Sequence, residues 1–306
     1  DYTIGWVTTT DEEYRAASWM VDQVHLPNSP FRQLNKRRKF NYQLSRVGNH
    51  FVAISVPILG YILNAADVID DMRETFPQIR FVLLVGTASG VPSLGNDERP
   101  DEQCTVPDVR LGDVIVGTRT VVPCSGEAVE PPETELEGGN TRAIFTTITE
   151  FRRRLSSGVD TEPSVTAMVK QKCSRDRRFS RPHLPSDRLY RAEYPHISDR
   201  CECLIPTARQ DSVTVSRAQR PPNRQLEVHY GSVCAVKHCI RDALRREELA
   251  LENDVLCFIP GIDDMTDEID CLPILGISDY ADSHQYSRAW MEYAALTAAV
   301  CAKEFL

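Results

Sequence analysis

No stretch of this 306-residue sequence approaches the ~20 consecutive apolar residues that span a bilayer. Its first residues carry no basic-then-apolar leader, and the chain contains neither an internal repeat nor a heptad run. Positive charge is in deficit: 35 Lys and Arg against 44 Asp and Glu leave a net charge of -9. That balance argues against a surface built as a whole for nucleic acid or anionic membrane. The expectation is a soluble, cytoplasmic chain that meets no membrane. With 42% hydrophobic residues it can fill a large core.

Metal-ligand spacing is also scarce. Of ten cysteines, Cys234, Cys239, Cys257, Cys271 and Cys301 lie in apolar stretches, where a thiol behaves as a small hydrophobe. Only Cys201-Glu202-Cys203 resembles a ligand pair, and it lacks a second C-x-x-C or H-x-x-x-H nearby. It reads as loop, and no metal or other cofactor is expected.

What is present alternates between strands and helices. Tyr2 to Thr8 is a short apolar strand, followed by threonines and a helical pattern in which Asp11 or Thr10 serves as N-cap. Glu13 then falls in the first turn, either as a buried base or hydroxyl ligand or as an acid that favours the helix dipole. Asn41 to Val47 and His50 to Pro57 flank Gly48-Asn49, a hairpin signal. A helix follows from Leu63 to Phe76, and then a buried strand from Arg80 to Val85. That strand runs into Gly86-Thr87-Ala88-Ser89-Gly90-Val91-Pro92, read as a glycine-rich turn whose backbone N-H groups suit an anion or a sugar hydroxyl. Helices are expected over Thr141 to Leu155, Ser164 to Lys172, Val236 to Leu251 and Tyr293 to Phe305. Strands are expected over Leu226 to Ala235, Val255 to Phe258 and Cys271 to Ile277. The pattern predicts one α/β domain over residues 1–306: three layers, with a mixed, largely parallel twisted sheet flanked by helices.

Between Arg175 and Arg224 the composition shifts to 11 arginines against 6 acids, with prolines throughout. This marks a long basic loop insertion at about 173–225, expected to be solvated. Without aromatic interleaving it does not read as a nucleic acid site.

The strand Cys271 to Ile277 delivers Ser278 and Asp279 to its C-terminal end, where open α/β sheets place their ligands. A half-desolvated acid there can hold a proton and donate it to a leaving group. Alternatively, Asp279 is a helix cap or turn residue.

Four ordered stretches resemble the nucleoside phosphorylase and nucleosidase superfamily, especially fungal members often fused to signalling ATPase domains. They are Tyr2 to Trp6 with Glu13-Tyr14, Val85 to Ser93, Asp108 to Val116, and Gly276 to His284. His229-Tyr230-Gly231, Ser186 to Tyr194 and the alanine-rich end up to Leu306 match as well, so the resemblance spans nearly the whole chain. It implies cleavage of an N-glycosidic bond through an oxocarbenium-like sugar; hydrolysis is expected in preference to phosphorolysis, because Gly86 to Pro92 offers no arginine for phosphate. By that resemblance, Asp279 is the acid at a purine leaving group and Glu13 orients the attacking water. Gly86, Thr87, Ala88 and Ser89 line the nucleophile, Tyr190 or Tyr194 stacks on the base, and Phe258, Ile259, Pro260, Gly261 and Ser278 contact substrate. The implied partners are a small-molecule substrate and further copies of the chain in a homo-oligomer.

Two departures from the family pattern stand out. Where the family carries Glu-Met-Glu-Ala, with its second glutamate on the ribose hydroxyls, this chain has Ile259-Pro260-Gly261-Ile262. Gly261 offers no side-chain acceptor, and Asp263 or Asp264 replaces it only if the loop shifts register. The usual Ser-Gly-Asn is likewise altered around Cys234-Ala235-Val236-Lys237. Two alternatives therefore stand beside nucleoside cleavage: the scaffold turned to a non-nucleoside substrate in biosynthesis, or a noncatalytic sensing or assembly module.

Overall fold

In a computed structural model of the chain, the residues described are 1–25, 39–93, 107–122, 146, 148–151, 153, 161–174, 176–183, 186–196, 213–221, 224–260, 271–284 and 288–306. Among them lie strands β1 (Ile4–Val7), β2 (Gln23–Val24), β3 (Asn41–Val47), β4 (His50–Val56), β5 (Phe81–Gly90), β6 (Val114–Val121), β7 (Val228–Val236), β8 (Val255–Pro260) and β9 (Cys271–Asp279). The helices are α1 (Asp11–Ser18), α2 (Ala65–Thr75), α3 (Thr161–Cys173), α4 (Ala243–Asn253) and α5 (Arg288–Phe305).

The strands form one mixed sheet in the order β2-β3-β4-β1-β5-β8-β7-β6-β9, and β9 pairs back onto β5. The last five strands are therefore a closed ring. β1 lies parallel to both β4 and β5, and β5 runs parallel to β9. Antiparallel pairs are β2 with β3, β3 with β4, β5 with β8, and β6 with β9. The β3–β4 hairpin turns at Gly48, whose φ of 57° falls in the region glycine adopts without a Cβ clash.

Ring closure changes the reading of the glycine-rich segment. β5 continues through Gly86-Thr87-Ala88-Ser89 to Gly90 as strand, because β9 pairs along it as far as Ser89 and β8 pairs with Ser89 and Gly90. The expected turn with free N-H groups is absent over those residues. Two helices also start away from the expected positions. β7 runs on to Val236, and α4 begins only where the Asp242 side chain accepts from Leu244 N and Arg245 N. α5 begins at Arg288, one turn or more before Tyr293.

α5 is buried along nearly its whole length and packs its alanine face on the sheet. The approach is close enough that a Cβ on Gly276 would collide with the backbone carbonyl of Ala294. Cys257, Cys234, Cys271 and Cys301 are free thiols within or against this packing, and burial pushes the Cys301 and Cys271 thiols up to about 12. Cys239 differs from the expectation and is exposed. Cys201 and Cys203 lie outside the described residues.

The basic insertion is the main correction. The side chains of Arg217 and Arg220 are mostly covered, 10% and 8% exposed. Arg220 grips Asp113, which is fully buried, through Nη1 to Oδ1 at 2.6 Å and Nη2 to Oδ2 at 2.7 Å. The same carboxylate takes Glu227 N at 3.1 Å, Arg110 N at 2.8 Å and His229 Nε2 at 3.0 Å. Burial by itself would raise the Asp113 carboxyl, but the hydrogen bonds from His229 and Arg220 outweigh it and hold the group below its ordinary value. A buried charge persists only with such partners, and this one draws loop arginines inward.

Two outcomes test this packing. Gly276→Ala should destabilise the fold by about 3 kcal/mol or more, since the atom it meets is helix backbone with no rotamer to yield; thermal melting reads the loss. Asp113→Asn should cost about 3–5 kcal/mol at neutral pH by leaving Arg220 buried against a neutral amide. Because the folded carboxyl titrates below its ordinary 3.8, its stabilisation is complete above that value and disappears as pH falls below it. Denaturant melts of the two proteins should therefore stay separated from pH 7 down to about 4 and converge in stronger acid.

Candidate active site

The C-terminal ends of β1, β4 and β5 share one edge of the sheet, and the first candidate carboxylate is built there. Thr10 caps α1, and Glu13, three residues on, closes a capping box with it. Glu13 is buried, 5% exposed. Its Oε2 accepts from Thr9 N at 2.8 Å, Thr9 Oγ1 at 2.9 Å and Thr10 N at 3.1 Å. Its Oε1 accepts from Thr87 N at 2.9 Å and Thr87 Oγ1 at 3.2 Å. Five donors fill about four lone-pair positions, so Glu13 ties the tip of β1 to the tip of β5. Gly86 makes room for it, since a Cβ there would lie 2.6 Å from Oε1.

Along β5 the pleat leaves Thr87 and Ser89 partly open and buries Ala88 and Gly90. Ser89 is the junction. Its register partner is Asp279 on β9 on one side and Phe258 on β8 on the other, beside a bulge between Ala88 and Ser89. Asp279 is also partly open, so Thr87, Ser89 and Asp279 are gathered at one strand end with Glu13 bonded to Thr87.

Asp279 is held locally. Its Oδ1 accepts from Ala281 N at 2.9 Å, and its Oδ2 from Ser278 Oγ at 3.1 Å. The first bond is an aspartate turn, completed by Ala281 at φ 52°. The residue is thus a turn former and not a cap for α5, which starts nine positions later at Arg288. Ser278 is buried, with Oγ 3.4 Å from the Ala88 carbonyl.

The other predicted contacts divide. Phe258 is 1% exposed, within a small apolar cluster with Val91, Cys234, Val236, Leu249, Val255 and Ala281. Ile259 belongs to the main core. Pro260 is exposed at the end of β8. Gly261, Asp263 and Asp264 lie outside the described residues. Tyr190 is buried, and one face of its ring stacks on His284 at 3.7 Å and 10°. Tyr194 lies nearly parallel to the same imidazole, with centroids 6.1 Å apart. The aromatic residues expected on a base thus stack on a residue of the chain itself.

Several residues here were given no role by the sequence. Tyr280 is fully buried beside Asp279, and burial pushes its phenol well above the ordinary range. Its hydroxyl donates to Asp187 Oδ1 at 2.6 Å and accepts from Arg217 Nη2 at 2.9 Å and Leu111 N at 3.2 Å. Arg246, also fully buried, donates from Nη1 to the Tyr280 carbonyl at 2.8 Å. These contacts join positions 34 to 169 residues apart, beyond the reach of any local pattern. No group of three or more His, Cys, Asp or Glu able to hold a metal occurs among the described residues.

No family model matches the chain. It is 28% identical over 317 aligned residues to a nucleotide-binding leucine-rich repeat (NLR)-like protein of Hyaloscypha variabilis, and the match covers 100% of this chain. The chain spans 29% of the length of that relative. Among solved structures it is similar to a 5'-methylthioadenosine/S-adenosylhomocysteine nucleosidase from Neisseria meningitidis, with TM-score 0.54 and 11% identity over 100% of this chain and 98% of that one. The corresponding nucleosidase from S. pneumoniae aligns with TM-score 0.53 and 12% identity over 99% and 97%. A futalosine hydrolase mutant of Helicobacter pylori strain 26695 gives 0.50 and 14% over 100% and 98%. Each is a nucleosidase or hydrolase by name, and at these identities what is shared is the architecture. The likeness covers nearly the whole chain, and the chain has the fold of these solved structures.

Proposed function

We propose that the chain is an enzyme that cleaves the N-glycosidic bond of a nucleoside or modified nucleoside, with water as the preferred acceptor. The observation that carries this reading is the meeting of Asp279 and Ser89 in register, with the Glu13 carboxylate bonded to Thr87 two residues away. Asp279 gives its proton to the departing base as the bond to the sugar carbon breaks. Water then adds to the cationic carbon and passes its proton to the Glu13 carboxylate. The longest acceptor contact of Glu13, from the Thr87 hydroxyl at 3.2 Å, is the one a water can replace. Ser278 and the local turn hold Asp279 in place during transfer.

The committed arginines favour water over phosphate. Phosphate needs converging guanidinium groups. Arg217 and Arg220 are already engaged by Asp187, Asp113 and Tyr280. No acid occurs at 258–260 to clamp ribose hydroxyls, which points to a substrate whose sugar is altered or held from elsewhere.

A second reading is a noncatalytic ligand-sensing or assembly module. It is favoured by similarity to under a third of an NLR-like protein and by the full hydrogen-bond complement on Glu13.

Chromatography of free base released from a panel of purine and pyrimidine nucleosides, with and without phosphate, separates the two. Nucleoside cleavage predicts base release independent of phosphate, lowered about 10²- to 10⁴-fold in Asp279→Asn. Calorimetric binding of a nucleoside without release of base from any would support the sensing module instead.

A further inference from the structure

We propose that Arg217 and Asp187, both in the basic insertion, are positioning residues that set the aim of the Asp279 carboxylate through the hydroxyl of Tyr280. The inference rests on the reading of Asp279 as the acid of nucleoside cleavage.

Two pieces of the insertion meet as a short antiparallel ladder. Tyr190 bridges Thr214, Arg191 N donates to the Val213 carbonyl at 3.0 Å, and Val215 N donates to the Leu189 carbonyl at 2.8 Å. Continued in register, that ladder sets Asp187 against Arg217, and their side chains pair at 2.8 Å. The pair closes on Tyr280. Asp187 accepts from its hydroxyl, while Arg217 donates to it and lies over the ring with its guanidinium carbon 5.1 Å from the centroid. With Leu111 N donating as well, one phenolic donor and two acceptor positions are all used. Arg217 also has its Nη1 3.7 Å from Asp108 Oδ1, too far for a hydrogen bond but close enough for an ionic contact.

Neighbouring residues at a strand end project to opposite faces. Pinning the buried Tyr280 side chain therefore fixes the roll of the backbone that carries Asp279 on the open face. The coupling has a visible route. The Ala281 N-H that holds Asp279 Oδ1 belongs to the peptide whose carbonyl is that of Tyr280, and Arg246 holds that carbonyl. If the phenol is released, Arg246 and Asp279 alone hold that peptide, and its N-H is held less firmly on the carboxylate. The exposed, solvated loop expected from composition is in these parts a strap latched to the strand tip.

The test uses the full chain with Arg217→Met, Arg217→Lys, Asp187→Asn and Tyr280→Phe, and Arg245→Ala on the exposed side of α4 as the control. Tyr280→Phe removes one hydroxyl and keeps the ring, so it serves if the charge-removing variants fail to fold. Base release and deuterium uptake at residues 277–284 are measured together. The expected result is a kcat about 10- to 100-fold lower in Tyr280→Phe and Arg217→Met, with KM within about threefold. The pH-rate profile should shift, Arg217→Lys should recover part of the loss, and the strand tip should exchange about tenfold faster. Unchanged kcat, whether or not the tip loosens, overturns the proposal. Should the wild type release no base, nucleoside cleavage fails on that result alone. Tip exchange then decides the latch: faster exchange upholds it and unchanged exchange overturns it.

Discussion

The ring depends on one buried negative charge. Asp113 stands at the entry to β6, where its backbone carbonyl accepts from Ile277 N on β9 and its side chain takes donors from three other segments. A carboxylate in that position is stable only while those donors stay. Arg220 comes from the insertion, Glu227 N and His229 from the entry to β7, and Arg110 N from the preceding turn. One charge thus ties the entries of the ring neighbours β6 and β7 to each other and to the insertion. It also draws part of a polar loop into the protein.

That constraint shapes the functional end as well. With β9 closed against both β5 and β6, Asp279 is presented at Ser89, beside the corner where Glu13 joins two strand tips. The two carboxylates are held in different ways. Glu13 is enclosed by five donors and behaves as a fixed acceptor. Asp279 has one contact to each oxygen and remains partly open, which suits a group that must exchange a proton with a ligand. The proposed acid role of Asp279 fits that asymmetry, whereas Glu13 can take an attacking water only where the Thr87 hydroxyl gives way.

Much of this was legible in the residues. The Gly48-Asn49 hairpin, the Thr10 cap over Glu13, the run of apolar strands and the alanine-rich last helix each follow from short-range rules of turn, cap and periodicity. Gly86 to Gly90 was misread because glycine in a strand and glycine in a turn look alike without the neighbouring strands. Tyr190 and Tyr194, expected to stack on a base, lie against His284 of the chain itself.

By itself the sequence determined most of the strands and helices though not all their limits, which carboxylates sit at strand ends, and the resemblance to a known fold. Those properties depend on residues within a few positions of one another and on their order. Only the tertiary structure decided that the strands close into a ring, that Glu13 is fully engaged, and that Arg217 and Arg220 leave solvent for Tyr280 and Asp113. The physical reason is that a buried charge is stable or not according to donors brought from far along the chain. Composition counts those charges but does not pair them.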